Sequence, residues 1–381
     1  MNRRELLISA TALTGAVLLP RQAFADKNRI DVYVNADANI SDFWSNTIKP
    51  AFEKANPGAT VNVVAAPGDN GTTPIVQRAM AALASKTDPQ VDLFEEQDPT
   101  QPKGAIEAGL WVDFTKGGLS NYSKVNPLAI ESPYSLPYRG SQVLLAYDTT
   151  KLPKDKVPKT FADLVGWIKA NPGQFIYNRP DKGGSGGNFV RRAIHEANGR
   201  DPKVFTIDNY VKGTSDDMLA KGFAILQDLA PYLYEKGAYT SGNTQSIQLL
   251  SQGAVTMIPA WSDQALQSIT QGVLPDTTGL VQLTDLALAG GFSAAAVPTN
   301  GTNKDLALKL LDYVLTPEVQ VAIITDLGGF PGDSWSVLPP EIVAKYADIV
   351  PKSIPTFPGG PWNAAISDGW YRTVAPNIAK S

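Results

Sequence analysis

The sequence predicts an α/β fold, built of mostly parallel sheets flanked by helices and spread over two or three domains. Three observations carry this prediction. Short β-rich runs alternate with helical patterns, each strand-like run ends in a polar loop, and 381 residues is enough chain for more than one full core. In open α/β sheets the loops at the carboxyl ends of strands are where ligands bind.

Residues 30–34 (Ile-Asp-Val-Tyr-Val) are strand-like and run into the polar stretch 35–39. A helix follows from about Ser41, because Phe43, Trp44, Ile48 and Phe52 recur on one face, and Asn56-Pro57-Gly58 stops it. Residues 60–64 form the next strand, 73–85 a helix, and 91–94 a strand entering Glu95-Glu96-Gln97-Asp98-Pro99. Prolines and glycines make 132–142 irregular before the strand 143–148. Thr160 caps a helix containing Phe161, Leu164, Val165 and Ile168, and Asn171-Pro172-Gly173 ends it. Residues 175–177 make a short strand, then a glycine-rich run leads to a helix from Phe189. Residues 218–235 and 243–252 are helical by pattern, 254–258 is a strand with 259–263 as its loop, and 292–297 is again strand-like.

Composition excludes several chemistries. With no cysteine and a single histidine, His195, the chain has no Cys₄ or Cys₂His₂ zinc site, HExxH motif, iron–sulfur cluster, disulfide or cysteine nucleophile. A Ser-His-Asp triad would have to use His195, which reads most simply as a surface or half-buried helix residue. Net charge is −4, with no long run of either sign, so nucleic acid is not an expected partner.

The first 25 residues read as an export signal: Arg3-Arg4 are the positive start, residues 6–19 an apolar or small-residue stretch, and Ala23-Phe24-Ala25 a small-x-small cleavage site. The paired arginines ahead of a weakly hydrophobic segment lean toward the twin-arginine route. Cleavage after Ala25 would release a periplasmic product, since no other stretch offers the ~18 apolar residues of a membrane span.

Four motifs in order carry a family resemblance. Phe52-Glu53-Lys54-Ala55-Asn56-Pro57-Gly58, Pro158-Lys159-Thr160-Phe161-Ala162-Asp163-Leu164, Gly253-Ala254-Val255-Thr256-Met257 and the helix pair of residues 307–320 resemble those of bacterial extracellular solute-binding proteins of ABC importers. Residues 175–193 and the overall texture are similar to the YnjB-like branch, near polyamine- and thiamine-type binders. The resemblance implies a two-lobed, type II periplasmic binding protein fold, with a small solute trapped between lobes by hinge closure. It places lobe I at 26–140 plus 290–334 and lobe II at 141–289 plus 335–381, with Gly290-Gly291 as a candidate hinge. It implies an inner-membrane ABC permease as partner, a monomer, and no metal, cofactor or covalent chemistry. A binding protein serving a sensor or chemoreceptor is the alternative, and an enzyme on the same fold the remote one.

Candidate ligand contacts form two poles. Gly184, Ser185, Gly186 and Asn188 belong to a glycine-rich run opening a helix, whose backbone N–H groups suit an anion, and Arg179 could add a bidentate grip. Opposite in sign are the loop carboxylates Asp37, Glu96, Asp98 and Asp263, which with the rings of Trp261, Tyr134 and Tyr138 suit a cation. Asn39 and Phe292 complete the expected contacts. If both poles line the cleft, a zwitterion satisfies them together. The enzyme reading has only paired carboxylates such as Glu95 and Asp263, at unknown separation; the thiaminase-type transferases that resemble these proteins use a cysteine, which this chain lacks.

Overall fold

Strand β1 (Arg29–Val34) buries Ile30, Val32 and Val34 on one face, as its alternation requires. A computed structural model describes residues 28–34, 38–66, 73–95, 104–206, 208–355 and 360–380. The export signal, Asp37, Glu96 and Asp98 therefore lie outside the described residues. β1 pairs in parallel with β2 (Thr60–Ala65) and β3 (Leu93–Glu95). Between β1 and β2 run α1 (Ala38–Phe43), one π turn (Trp44–Ile48) and α2 (Lys49–Ala55), which bury Trp44, Ile48 and Phe52 against the sheet. Helix α3 (Thr73–Ser85) joins β2 to β3.

The 13-residue strand β4 (Leu136–Asp148) serves two sheets. Its first half pairs antiparallel with β7 (Gly290–Ala296), which in turn pairs with β3; its second half pairs antiparallel with β5 (Met257–Trp261) and β6 (Thr278–Val281). The path through the sheets is β2-β1-β3-β7-β4-β5. Around β5 and β6 lie α4 (Phe161–Ala170), α5 (Gly184–Ala197), α6 (Thr214–Leu229), α7 (Asn243–Ser251) and α8 (Ser262–Thr270). α4 starts in a capping box: Asp163 N donates to Thr160 Oγ1 and Thr160 N to the Asp163 carboxylate, both at 3.1 Å. After β7 come α9 (Lys304–Val314), α10 (Pro317–Thr325), β8 (Phe330–Pro331), α11 (Pro340–Lys345) and α12 (Pro361–Thr373).

Two apolar cores result. One gathers β1, α2, β7, α9 and α10 around Trp44, Phe52 and Leu311; the other gathers α4, α5, α6 and α12 around Phe161, Phe189 and Trp370. Trp335, Leu338 and Ile349 pack on Leu144, Ile324 and Phe330, a smaller cluster that touches elements of both. The segment after 334 is thus not wholly an appendage of the second core.

Several expectations change. The irregular stretch before 143 is strand from Leu136 onward, with Pro137 accommodated by a register shift against β7. The strand at 175–177 reduces to isolated parallel bridges, Phe175 to Met257 and Asn178 to Thr240. The helix expected from Phe189 begins at Gly184, and residues 259–263 are strand end and helix start rather than loop. Parallel pairing within named strands is confined to β1, β2 and β3, because β4 enters the second sheet and β7 returns from it in opposite senses. His195 is buried edge-on against Phe205, and burial with the charges of Arg192 and Arg191 brings its pKa down to about 4.

Asp333, just after β8, is fully buried, and neither carboxylate oxygen has a hydrogen-bond partner among the described residues. Burial pushes its pKa up to about 7 against the pull of Lys124. An unfolded aspartate ionises near its ordinary value, so folding takes up a proton between that value and about 7. Stability from this group is present in acid and lost as pH rises through that window. Urea unfolding from about pH 4.5 to about pH 8 should show Asp333→Asn gaining on the wild type as pH rises, then holding level. Parallel pH curves for the two proteins would remove Asp333 as the cause.

Candidate functional site

A cleft of about 750 Å³ opens between the two cores. Its floor is the crossing pair, Arg139 and Ser141 of β4 with Gly290, Gly291, Phe292 and Ser293 of β7. Asn39 and Ile40 of α1 form one wall; Asn243 at the start of α7, Trp261 ending β5, and Asp263, Gln264 and Gln267 of α8 form the other.

Beneath the floor lies a buried polar cluster. Glu95, ending β3, is 0% exposed and accepts from Tyr138 Oη at 2.5 Å and from Arg139 Nη2 at 3.2 Å. Arg139 Nε donates to Tyr138 Oη at 2.9 Å, and Trp44 Nε1 donates to the same oxygen at 3.2 Å. Burial holds the Tyr138 hydroxyl well above its ordinary pKa, so it stays a neutral donor to Glu95. The charge of Arg139 is thus answered by Glu95 within the protein.

Asp263 is differently placed. It sits in the first turn of α8, where its Oδ1 accepts from Ser141 Oγ at 2.7 Å and from Gln264 N at 2.9 Å. Among the described residues nothing hydrogen-bonds Oδ2. Burial raises its pKa, opposed by the Ser141 bond and the nearby Arg139 charge. Ser262 holds the helix start to the floor, accepting from Gln142 N at 3.2 Å and lying 3.2 Å from Ser141 Oγ.

The glycine run is a packing device. Ser185 N donates to Asn243 Oδ1 at 3.3 Å and Gly186 N to Asn178 Oδ1 at 2.8 Å, while Ser185 Oγ reaches both asparagines. These N–H groups are already satisfied. A Cβ at Gly184 would lie 2.6 Å from the Trp261 ring, so the ring rests on bare backbone. At Gly290 a Cβ would meet Ser141 O at 2.5 Å, which explains that glycine by close strand approach, whereas Gly291 has open space before it.

Of the expected contacts, Asn39, Trp261, Asp263 and Phe292 line the cleft together. Gly184 touches it only through Trp261. Tyr138, Ser185 and Asn188 are buried, and Asn188 Oδ1 accepts from Arg191 at 2.8 Å. Tyr134 packs on the cluster around Phe94, and Arg179 lies beside Tyr371. Sequence reasoning missed Arg139, Ser141, Asn243, Gln264 and Gln267 as lining residues. Arg139 and Ser141 had a usable signal, since they flank Gly140 at the expected crossover; Asn243 and Gln267 are ordinary polar residues on helices and had none.

A sequence model described as bacterial extracellular solute-binding protein matches residues 47–350. The chain belongs to that family. A search of curated protein sequences finds no match. Solved structures share the fold. The spermidine/putrescine ABC transporter substrate-binding protein PotD from Streptococcus pneumoniae aligns at TM-score 0.67 and 14% identity, covering 91% of this chain and 98% of that one. The GacH receptor of Streptomyces glaucescens, solved unliganded and with acarbose, aligns at 0.65 and 14%, covering 92% and 94%. A periplasmic thiamin binding protein aligns at 0.54 and 18%, covering 91% and 96%. These solute-binding proteins are two-lobed, and these three do not single out the YnjB-like branch. No helix among the described residues is long and apolar enough to cross a membrane.

The packing role of the glycines is directly testable. A Cβ at Gly186 would lie 1.8 Å from Asn178 O, so Gly186→Ala should cost about 1–3 kcal/mol in unfolding free energy. Gly291→Ala, with nothing within 4 Å, should change it by less than about 0.5 kcal/mol. Equal unfolding midpoints for the two variants would contradict this account.

Proposed function

We propose that the chain captures a small, polar organic solute bearing a positively charged, hydrogen-donating group, as the receptor component of an ABC importer. The observation that carries the reading is Asp263: among the described residues nothing hydrogen-bonds its Oδ2, in the cleft beside Trp261, while the Arg139 charge is matched by Glu95. A carboxylate next to an indole face attracts a cation through both charge and ring quadrupole. Asn39, Asn243, Gln264 and Gln267 supply neutral donors and acceptors around it, and Phe292 an apolar face. PotD and the thiamin binding protein, whose names specify cationic solutes, support the same polarity.

The glycine run does not supply a matching anion pole, because Ser185 N and Gly186 N are bonded to asparagine side chains. The zwitterion reading therefore yields to a cationic one. Closure would rotate the cores about the β4 and β7 crossings, and solute stabilises the closed form only by its preference for that form. The first 25 residues would direct export, with cleavage after Ala25 and release into the periplasm as a monomer that presents its closed form to the permease. Capture needs no bond making or breaking, so a bound solute should be recovered unchanged.

The test is a thermal-shift screen of residues 26–381 against polyamines, thiamine, amino acids, neutral sugars and organic anions. A solute at about 100 times its Kd adds about 2.7 kcal/mol of stability. A cationic hit should lose about 10- to 100-fold in affinity with Asp263→Asn, and mass spectrometry should show it intact after incubation. A sugar or anion that binds wild type and Asp263→Asn equally would sink the cationic reading; conversion of the hit would sink the receptor reading.

A further inference from the structure

A second cavity, of about 340 Å³, lies away from the cleft, between the segment from Leu280 to Ala287 and the connector of residues 347–353. Its lining mixes apolar side chains, Val157, Leu283, Leu286 and Val350 among them, with polar and charged ones. Tyr147 of β4, only 2% exposed, also lines it, and its hydroxyl makes no hydrogen bond among the described residues. Lys154, Lys159 and Lys352 also line it.

The acids in the lining are already engaged. Asp285 accepts from Arg192 Nη2 at 2.9 Å, from Leu286 N at 2.9 Å and from Phe161 N at 3.2 Å, and Asp348 pairs with Lys154. Lys159 and Lys352 have no ion pair among the described residues. Positive charge is therefore left over on two exposed lysines, beside a group of apolar side chains and the unbonded Tyr147 hydroxyl.

The connector is a fixed wall. Gln142 Nε2, buried in β4, donates to Leu288 O at 2.9 Å and to Ser353 O at 3.0 Å, and Gly290 N donates to Pro355 O at 3.3 Å. These bonds fasten the connector to both crossing strands. A Cβ at Gly279 would lie 2.3 Å from Tyr147 Cζ, so the tyrosine ring is itself clamped in place.

We propose that this cavity is a second ligand site, separate from the cleft, that takes a small organic anion with an apolar body. The anionic head would meet Lys159 and Lys352 while the body packs on the apolar side chains, and the Tyr147 hydroxyl donates to an acceptor on the ligand. The volume lies within the range of small-ligand pockets, and a bare inorganic anion would leave the apolar lining unused.

Isothermal titration of residues 26–381 with phenyl phosphate, inorganic phosphate and benzyl alcohol tests this. Phenyl phosphate should bind, with Kd raised at least about tenfold in Lys159→Ala/Lys352→Ala and raised in Tyr147→Phe, but unchanged in Asp263→Asn. Both lysines are exposed, so the double variant should melt with the wild type. The proposal is overturned if phenyl phosphate fails to bind at millimolar concentration, if inorganic phosphate or benzyl alcohol binds as well, or if Asp263→Asn abolishes binding while the lysine variant keeps it.

Discussion

A carboxylate buried at the end of a strand must be answered, and in this protein the answer for Glu95 comes from the strand that links the two cores. Tyr138 and Arg139, adjacent on β4, both bond its Oε1, and Trp44 secures the tyrosine from α2's side of the core. Removing Arg139 would take the ion pair away from a carboxylate at zero exposure, the situation in which buried pairs matter most. The cluster thus pins β3 to the crossing strand where the cleft floor begins. Everything that lines the cleft is positioned relative to that point.

The cleft's polarity follows from which charges the protein satisfies internally and which it leaves open. Arg139 reaches the cleft already paired, whereas Asp263 spends one oxygen on Ser141 and its own helix and, among the described residues, leaves the other unbonded. Burial raises the cost of that ionised oxygen, and a cationic partner would offset it. The Trp261 ring rests on the bare backbone of Gly184, so its place in the cleft is set by packing within the protein. The same economy of small residues appears at Gly290, where two strands approach too closely for a side chain.

The two halves of β4 explain how mobility and order coexist in the architecture. Leu136–Gln142 are bonded into one sheet and Val143–Asp148 into the other, so each core carries its own hydrogen-bond ladder up to the crossing. The connector bonded through Gln142 and Pro355 adds a third strand of restraint at the same place. A rotation between cores would be absorbed there, where each ladder ends, while the cores themselves move as packed bodies.

The alternation of strands and helices, the capping box at Thr160, the helix over 73–85 and the family motifs were all legible in the chain, because they depend on near neighbours: periodicity, caps and breakers. They were sufficient for the fold class and for membership among solute-binding proteins. The site was legible only in part. Trp261 and Asp263 stood out because an aromatic and an acid at a strand end are conspicuous, whereas the glycine run at 184–187 looked like an anion cradle, and only tertiary contact showed Asn178 and Asn243 filling it. Likewise a lobe boundary at 140/141 could be read, but not that the strand through it starts at Leu136, since the pairing partners of Pro137 and Arg139 are some 150 residues away in β7. The sequence by itself determined which segments fold and into what; which charges are spent and which are left facing the cleft was decided by contacts between distant segments, because the cost of a buried charge depends on its three-dimensional neighbours.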